Sequence, residues 1–319
     1  MYIGQQAVKR SGDSASRNAR LVAGSNRQVF FGGVAGVTIP PGGSVTSDEV
    51  QMNVRASQDL GVSLFVPDSG IRPSSHNAAQ TRSYLTASGA GDAAADESST
   101  PFTSSTTTMF WLKGIDVLSA TSRGAIVAFG DSITDGTCST FDGHDRWLDW
   151  LAFRLASLDG AAAKGVVNEG LSSNTITTIR ANSGVERLDR AVLSHDGVTD
   201  VLLFMGTNDI NRGASRAQIT AGMQDIINRV RAAGIRIFGA TIIPRSDSGW
   251  SAAKTQLRNE VNQWIRTGGA FDGVVDFDNA VRDPAHVDLL YPPYNCDQVH
   301  PTPLAYVEMA KAISLTAIR

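Results

Sequence analysis

The sequence has little of what several classes of protein require. Its 319 residues include two cysteines, no cluster of lysine or arginine, and a formal net charge of -3. Proteins that bind nucleic acid or acidic membrane surfaces present basic patches, so the charge balance favours neither partner. No apolar run approaches the ~20 residues of a membrane span, and no His/Cys group has the spacing of a zinc site. The composition therefore predicts a chain without a membrane span, a nucleic-acid partner or a metal site.

Composition leaves the number of domains, the compartment and the oligomeric state open. A hydrophobic content of 42% supplies one large core or two smaller ones. The first 20 residues are polar and unlike a signal peptide. A signal removed from the chain would leave no trace, so localisation stays undecided at this point.

Residues 1–120 have the sequence pattern of a β-rich domain. Short runs of β-branched and alternating residues are separated by turns rich in glycine and proline. The alternation over 60–66 places four apolar side chains on one face of a sheet. Residues 86–108 are mostly Ser, Thr, Ala and Gly, which predicts a mobile loop. We expect a jelly-roll-like β-sandwich, with an N-terminally incomplete domain as one interpretation because strand-like sequence begins at once.

Residues 121–319 change to alternating strands and amphipathic helices. That alternation is typical of a parallel sheet covered by helices on both faces. Five apolar segments have the length of buried strands: 125–129, 165–168, 201–205, 235–243 and 274–277. The pattern predicts a flavodoxin-like, three-layer α/β/α domain with five parallel strands.

The strand over 125–129 ends abruptly at the small polar turn Gly130-Asp-Ser-Ile-Thr134. Open α/β sheets carry their chemistry at the carboxyl ends of their strands, so Ser132 is a candidate nucleophile. Asp131 or Ser132 can equally serve as the N-cap of the next helix. These residues alone leave both interpretations open.

Two further polar groups follow predicted strands, Asn168-Glu-Gly170 and Gly206-Thr-Asn208, and a third, Asp297-Gln-Val-His300, precedes the predicted helix over about 304–315. Because the ends of parallel strands converge, a serine, a main-chain glycine, an asparagine and an Asp/His pair would meet there. These are the parts needed for acyl transfer through a serine. Each group alone can be a turn or cap residue, but their joint occurrence favours an enzyme.

The four blocks, in this order, resemble the SGNH or GDSL hydrolases, a superfamily of esterases, lipases and acylhydrolases. The resemblance implies that Ser132 is the nucleophile, that His300 is its base and that Asp297 orients His300. It also implies an oxyanion hole formed by the backbone N–H groups of Ser132 and Gly170 and the side-chain amide of Asn208. Such a reaction needs no cofactor. The chain lacks the Gly-x-Ser-x-Gly elbow of the α/β-hydrolases.

The resemblance covers roughly residues 124–319. The front part is similar, more loosely, to the β-rich domain of bacterial secreted relatives of xylan-associated esterases. That second resemblance depends on the strand rhythm and on Arg146-Trp147 after the nucleophile block.

Substrate choice is predicted from the loops expected to surround the site. The residues expected to contact substrate are Asp131, Trp250, Leu290, Tyr291 and Tyr294. A shallow aromatic lining without a lid-like apolar helix suits short acyl groups, so we expect a short-chain carboxylesterase, with acetylated carbohydrate as one substrate class, rather than a true lipase. A thioesterase or lysophospholipase could use the same residues. The non-enzymatic alternative is a carbohydrate-binding or adhesion protein with a vestigial hydrolase domain, which the complete set of site residues disfavours.

Both cysteines lie on loops of the expected site. Cys138 follows Ser132 by six residues, and Cys296 directly precedes Asp297. We predict a disulfide between them, which favours a secreted or periplasmic protein because such bonds persist in oxidising compartments. Two unrelated buried thiols are the alternative.

Thiol titration under denaturing conditions without reductant tests this bond. We expect no reactive thiol before reduction and two after it. Two free thiols in the unreduced protein would contradict the prediction.

Overall fold

The protein is described by a computed structural model covering residues 1–7, 19–77 and 79–319. It divides into two compact units, Met1–Lys113 and Gly114–Arg319. Residues 8–18 and 78 of the predicted β-rich domain lie outside the described residues. No helix in the described part is long and apolar enough to cross a membrane.

Short strands form the regular structure described in the first unit: β1 Tyr2–Gln5, β2 Arg27–Gln28, β3 Leu60–Ser63, β4 Ser75–His76, β5 Ser83–Leu85, β6 Ser104–Thr106 and β7 Met109–Phe110. β1 lies between β2 and β3 in an antiparallel sheet, and β4 with β7 and β5 with β6 form separate antiparallel pairs. The alternating segment 60–66 is a strand only as far as Ser63, and Leu64 and Val66 beyond it are exposed. These elements do not define two packed sheets, so the jelly-roll-like sandwich stays a prediction.

Residues 86–108 form hydrogen bonds with other parts of the first unit at several points. β6 lies within it and pairs with β5. The Glu97 carboxylate accepts hydrogen bonds from the backbone N–H groups of Gly24 at 2.7 Å and Asn26 at 2.9 Å. Polar attachments of this kind leave no hydrophobic periodicity, and for that reason the sequence pattern did not reveal them.

The second unit contains a five-stranded parallel sheet, as the sequence predicts. Its strands are β8 Ala125–Gly130, β9 Gly165–Gly170, β10 Val198–Phe204, β11 Arg236–Ala240 and β12 Gly273–Val275. They lie in the order β12-β11-β10-β8-β9, with every adjacent pair parallel. This is the flavodoxin-like order, in which the connections leave β8 toward opposite edges of the sheet.

The α-helices described in this unit are α1 Ser132–Asp135, α2 Trp147–Asp159, α3 Gly184–Leu188, α4 Thr207–Asn211, α5 Arg216–Ala232, α6 Ala252–Thr267, α7 Phe277–Val281, α8 Pro303–Ala312 and α9 Leu315–Ile318. Several begin where the sequence supplies a capping side chain. Ser215, Ser251 and Thr302 each accept a backbone N–H in the first turn of α5, α6 and α8. Short polar caps thus fix where the long helices begin.

The sheet separates two hydrophobic cores. Along β8, Ile126 and Ala128 face a core shared with α2, α7 and α8, whereas Val127 and Phe129 face a core shared with α5 and α6. Alternate residues of a strand point to opposite faces, so a continuous apolar run is what a strand covered on both sides requires. The second unit is therefore a three-layer α/β/α domain. Ser132 follows β8, at the point where the strand order reverses.

Candidate active site

Ser132 is the first residue of α1, immediately after β8. Asp131 precedes it as the N-cap, and its Oδ1 accepts the backbone N–H of Ile133 at 3.0 Å. The capping alternative therefore applies to Asp131, while Ser132 remains partly exposed. Asp131 is only 2% exposed. Because its carboxylate is buried at the start of α1, the structure gives no support to a direct contact between Asp131 and substrate.

Ser132, His300 and Asp297 form a continuous hydrogen-bonded chain. Ser132 Oγ lies 2.9 Å from His300 Nε2, and His300 Nδ1 lies 2.8 Å from Asp297 Oδ2. The other carboxylate oxygen, Asp297 Oδ1, accepts the backbone N–H groups of Val299 at 3.1 Å and His300 at 2.8 Å. Because Asp297 and His300 are three residues apart, one carboxylate both stabilises the loop through its backbone N–H groups and orients the imidazole.

The Asp297 carboxylate keeps its charge in this arrangement. Partial burial raises its pKa, but hydrogen bonds and attraction from His300 lower it further, so the net pKa lies below the ordinary value. An ionised carboxylate at this place favours the Nδ1–H tautomer of His300. That tautomer leaves Nε2 free to accept the proton of the Ser132 hydroxyl.

A disulfide joins Cys138 to Cys296, the pair chosen in the sequence. It connects the segment after α1 to the loop that carries Asp297 and His300. The Tyr306 hydroxyl adds a second link by donating to the carbonyl oxygen of Thr137 at 2.7 Å. The segment after Ser132 is therefore held to the loop of His300 by one covalent bond, and to α8 by one partly buried hydrogen bond.

Asn208 approaches from the start of α4. Its Nδ2 donates one hydrogen bond to the carbonyl oxygen of Asn174 at 3.0 Å, and an amide nitrogen has a second hydrogen to offer. The next residue, Asp209, accepts the backbone N–H groups of Ile176 and Thr177, each at 2.9 Å. α4 is thus fastened to the chain segment that follows β9.

The structure gives no support to Gly170 as an oxyanion donor. β9 continues through Gly170, and the glycine N–H donates to Asn168 Oδ1 at 2.9 Å. Glycine is needed here for close packing instead, because a Cβ atom would lie 2.1 Å from the backbone nitrogen of Asp135 in α1. The prediction placed the end of the strand two residues too early.

A different backbone N–H lies in the turn that follows β9. Asn174 N donates to Leu171 O at 3.0 Å and closes the turn, with Ser173 at a positive φ of 62°. Among the described residues the Ser173 N–H has no acceptor. The turn also supplies the Asn174 carbonyl that receives Asn208. The signal that could have indicated it is the small polar run Ser172-Ser173-Asn174 just beyond the strand.

The predicted substrate-contacting residues separate into two groups. Leu290 is 4% exposed and packs in the core beside α8, so it cannot line an open site. Trp250 packs partly against the other core, donates its indole N–H to Thr255 Oγ1 at 3.1 Å and lies under the guanidinium of Arg245. Tyr291 and Tyr294 form an edge-to-face pair with centroids 5.0 Å apart, and Tyr291 is 39% exposed. Only these tyrosines retain a substrate-contacting role as a prediction.

One group of side chains in the site has potential metal-binding atoms within 4.8 Å of one another: Cys138, Asp297 and His300. A cysteine binds metal as a thiolate, whereas Cys138 is bonded to Cys296. His300 and Asp297 are already hydrogen-bonded to each other. The donor set fits a hydrogen-bonded triad better than a metal ion.

The model of the GDSL-like Lipase/Acylhydrolase family matches residues 128–307, a range that includes the triad and Asn208. The chain belongs to this family. No curated protein matches it.

Several solved structures resemble this GDSL family member. A GDSL-like lipase from Bacteroides thetaiotaomicron is 18% identical over 61% of this chain and 88% of its own, with a TM-score of 0.47. A member of the lipolytic protein G-D-S-L family from Veillonella parvula is 18% identical over 59% of this chain and 94% of its own, with a TM-score of 0.47. A carbohydrate acetylesterase family member from Sinorhizobium meliloti is 16% identical over 59% of this chain and 94% of its own, with a TM-score of 0.46.

Asp131, which directly precedes Ser132, has an unusually high pKa for a carboxyl group. Burial raises its pKa to about 7; the Ile133 N–H opposes this shift, and the nearby Asp209 carboxylate adds to it. Burial also raises the pKa of Asp209. Because the folded protein holds this proton more tightly than the unfolded chain does, ionising Asp131 removes stability as the pH rises from about 4 to 7.

Asp131→Asn removes this pH dependence while keeping a side-chain oxygen for the Ile133 N–H. Between pH 5 and pH 8 we expect the free energy of unfolding of the variant to rise, relative to the parent, by roughly 3 kcal/mol. Urea unfolding followed by tryptophan fluorescence measures it, since four of the five tryptophans lie in the second unit. The exposed Asp196 supplies the control, Asp196→Asn. A pH-independent difference between Asp131→Asn and the parent would contradict the shifted pKa.

Proposed function

We propose that this GDSL family member is a serine carboxylic-ester hydrolase that forms an acyl-Ser132 intermediate on short-chain acyl esters. The observation that carries the proposal is the chain of hydrogen bonds from Ser132 Oγ through His300 to Asp297, at 2.9 and 2.8 Å. A serine hydroxyl is a weak nucleophile on its own, and His300 in this series of hydrogen bonds provides the base that activates it.

In the proposed first half-reaction, His300 Nε2 takes the hydroxyl proton as Ser132 Oγ attacks the acyl carbon. Asp297 holds the Nδ1–H and stabilises the imidazolium that forms. The tetrahedral intermediate then collapses, and His300 gives its proton to the departing alcohol. In the second half-reaction, water attacks the acyl-Ser132 ester with His300 again as the base, which releases the acid and restores the serine.

The oxyanion formed in both halves needs preorganised donors. We propose that these are the backbone N–H groups of Ser132 and Ser173 together with the second hydrogen of the Asn208 amide. The Asn208 bond to the Asn174 carbonyl supports this arrangement, since it holds the amide beside the turn that contains Ser173. Ser173 replaces Gly170, whose N–H is occupied by Asn168.

Short acyl groups, including acetyl groups on carbohydrate, are the substrates we propose. A long acyl chain needs an extended apolar surface. Leu290 and Trp250 pack against the two cores, so of the predicted lining residues only Tyr291 and Tyr294 are left to provide that surface.

We propose further that residues 1–120 form a β-rich accessory domain of the kind found beside xylan-associated esterases, and that 121–319 form the catalytic domain. The Cys138–Cys296 disulfide is compatible with an extracellular location.

Hydrolysis of p-nitrophenyl acetate, butyrate and a long-chain ester by the parent and by Ser132→Ala tests the mechanism. We expect the parent to hydrolyse the short esters best and Ser132→Ala to lose at least about 10³-fold in kcat. Ser157→Ala on α2, an exposed serine bonded only to its own helix, is the control. Equal rates in the parent and Ser132→Ala would refute a serine mechanism.

Acetate release from acetylated xylan, compared with turnover of a thioester and a lysophospholipid, then separates the acyl classes. Preference for the thioester or the lysophospholipid would replace the proposed substrate. Polysaccharide binding that survives Ser132→Ala, without turnover by the parent, would favour the binding-protein alternative.

Asn208→Ala tests the oxyanion hole separately from the triad. Loss of one such donor costs about 10²- to 10³-fold in kcat, and we expect KM to change far less because the donor acts mainly in the transition state. Asn228→Ala on the exposed side of α5 is the matched control. Unchanged kcat in Asn208→Ala would remove Asn208 from the mechanism.

A further inference from the structure

A buried arginine lies beneath the ends of the two strands that carry the site. Arg187 in α3 is 3% exposed. Its Nη2 donates to the carbonyl oxygen of Gly130 at 2.9 Å and to that of Glu169 at 2.8 Å. Gly130 ends β8 and is followed by Asp131 and Ser132, whereas Glu169 lies at the end of β9. One nitrogen therefore fixes the nucleophile strand against its neighbour.

The same guanidinium also holds the turn after β9. Arg187 Nε donates to Asn174 Oδ1 at 2.8 Å, and the Asn174 carbonyl accepts the amide of Asn208 at 3.0 Å. Ser173, whose N–H meets no acceptor in the described ranges, directly precedes Asn174. The donors proposed for the oxyanion and the strand that presents Ser132 are thus tied to one rigid, planar group.

The charge of Arg187 is balanced inside the protein. Glu169 Oε2 lies 3.6 Å from Nη1, and the other oxygen of Glu169 contacts His195 Nε2 at 2.9 Å. The guanidinium carbon lies 4.2 Å from the centre of the Phe129 ring. Burial lowers the pKa of Arg187 to about 10, with Glu169 opposing the shift, so the group stays charged at neutral pH.

We propose that Arg187 is a positioning residue for ester hydrolysis, which sets the distance between Ser132 and the oxyanion donors of Ser173 and Asn208. The proposal rests on the serine mechanism given above. A lysine in its place keeps the charge but cannot form the planar set of bonds to Gly130, Glu169 and Asn174. Because misplacement by about 1 Å can cost 10²-fold in rate, the loss should appear in the chemical step.

Arg187→Lys is compared with Arg258→Lys, which replaces an equally buried arginine on α6. Arg258 is 1% exposed and donates to Asn259 and Asp288, each at 2.8 Å. Rates on p-nitrophenyl acetate are expressed per folded active site, counted by end-point labelling with a fluorophosphonate. For Arg187→Lys we expect kcat to fall about 10- to 100-fold, with KM changed less than about threefold.

A boronic acid inhibitor gives a readout that a merely structural role would not move. It mimics the tetrahedral intermediate, so its Ki should weaken in Arg187→Lys by about the factor lost in kcat/KM. Arg258→Lys should keep kcat and Ki within about twofold while losing thermal stability. Equal kcat in Arg187→Lys and the parent, or equal losses of kcat in both lysine variants, would overturn the proposal.

A second variant covers the case in which Arg187→Lys does not fold. Asn174→Ala removes the acceptor of Arg187 Nε but keeps the carbonyl that receives Asn208, and it should lower kcat with KM nearly unchanged. An unchanged kcat there counts against the proposal. A parent protein that neither hydrolyses esters nor reacts with the fluorophosphonate defeats the serine mechanism and this inference together. An active parent with an inactive Ser132→Ala and an unaffected Arg187→Lys defeats only the inference.

Discussion

The parallel pairing of β8 with a strand on each side is the constraint on which the rest of the site depends. Gly130, the last residue of β8, lies level with Gly170 of β9 and with Phe204 of β10. Chain segments that are far apart in sequence therefore leave the sheet side by side. The fixed spacing of neighbouring strands brings Ser132, the turn after β9 and the start of α4 together.

Because α1 lies close to these strand ends, some positions there accept only glycine. A Cβ atom on Gly130 would lie 2.0 Å from Thr134 Oγ1, and one on Gly170 would meet the backbone of α1. The same compactness removes water from Asp131, Asp209 and Arg187. Their hydrogen bonds offset the desolvation of the charged groups only in part, as the raised pKa values of the two carboxyl groups show.

The sequence predicted most of the second unit because its buried strands are continuous apolar runs. Its candidate site residues lie just after strand ends or, for Asp297 and His300, just before α8. The places where the structure differs from the expected positions have physical reasons. β9 extends through Gly170, so the turn whose N–H has no acceptor within the described part of the chain lies at Ser173. Leu290 looks like a loop residue but packs in the core, and Arg187 looks like a surface residue of a helix although its side chain is buried. In the first unit the strands are only two to four residues long and are joined partly by polar contacts, so they lack the long alternating pattern from which strands are predicted.

The Cys138–Cys296 bond closes residues 138–296 of the second unit into a covalent ring, since the two cysteines are 158 positions apart in sequence. In the chain-entropy account of disulfides, a ring of this size lowers the entropy of the unfolded chain and so raises its free energy by about 5 kcal/mol. The ring also has a topological consequence. A single cut in any loop between residues 139 and 295 leaves Ser132 and His300 in one covalently connected molecule. A protease that cuts once within the ring would therefore not separate the proposed nucleophile from its proposed base.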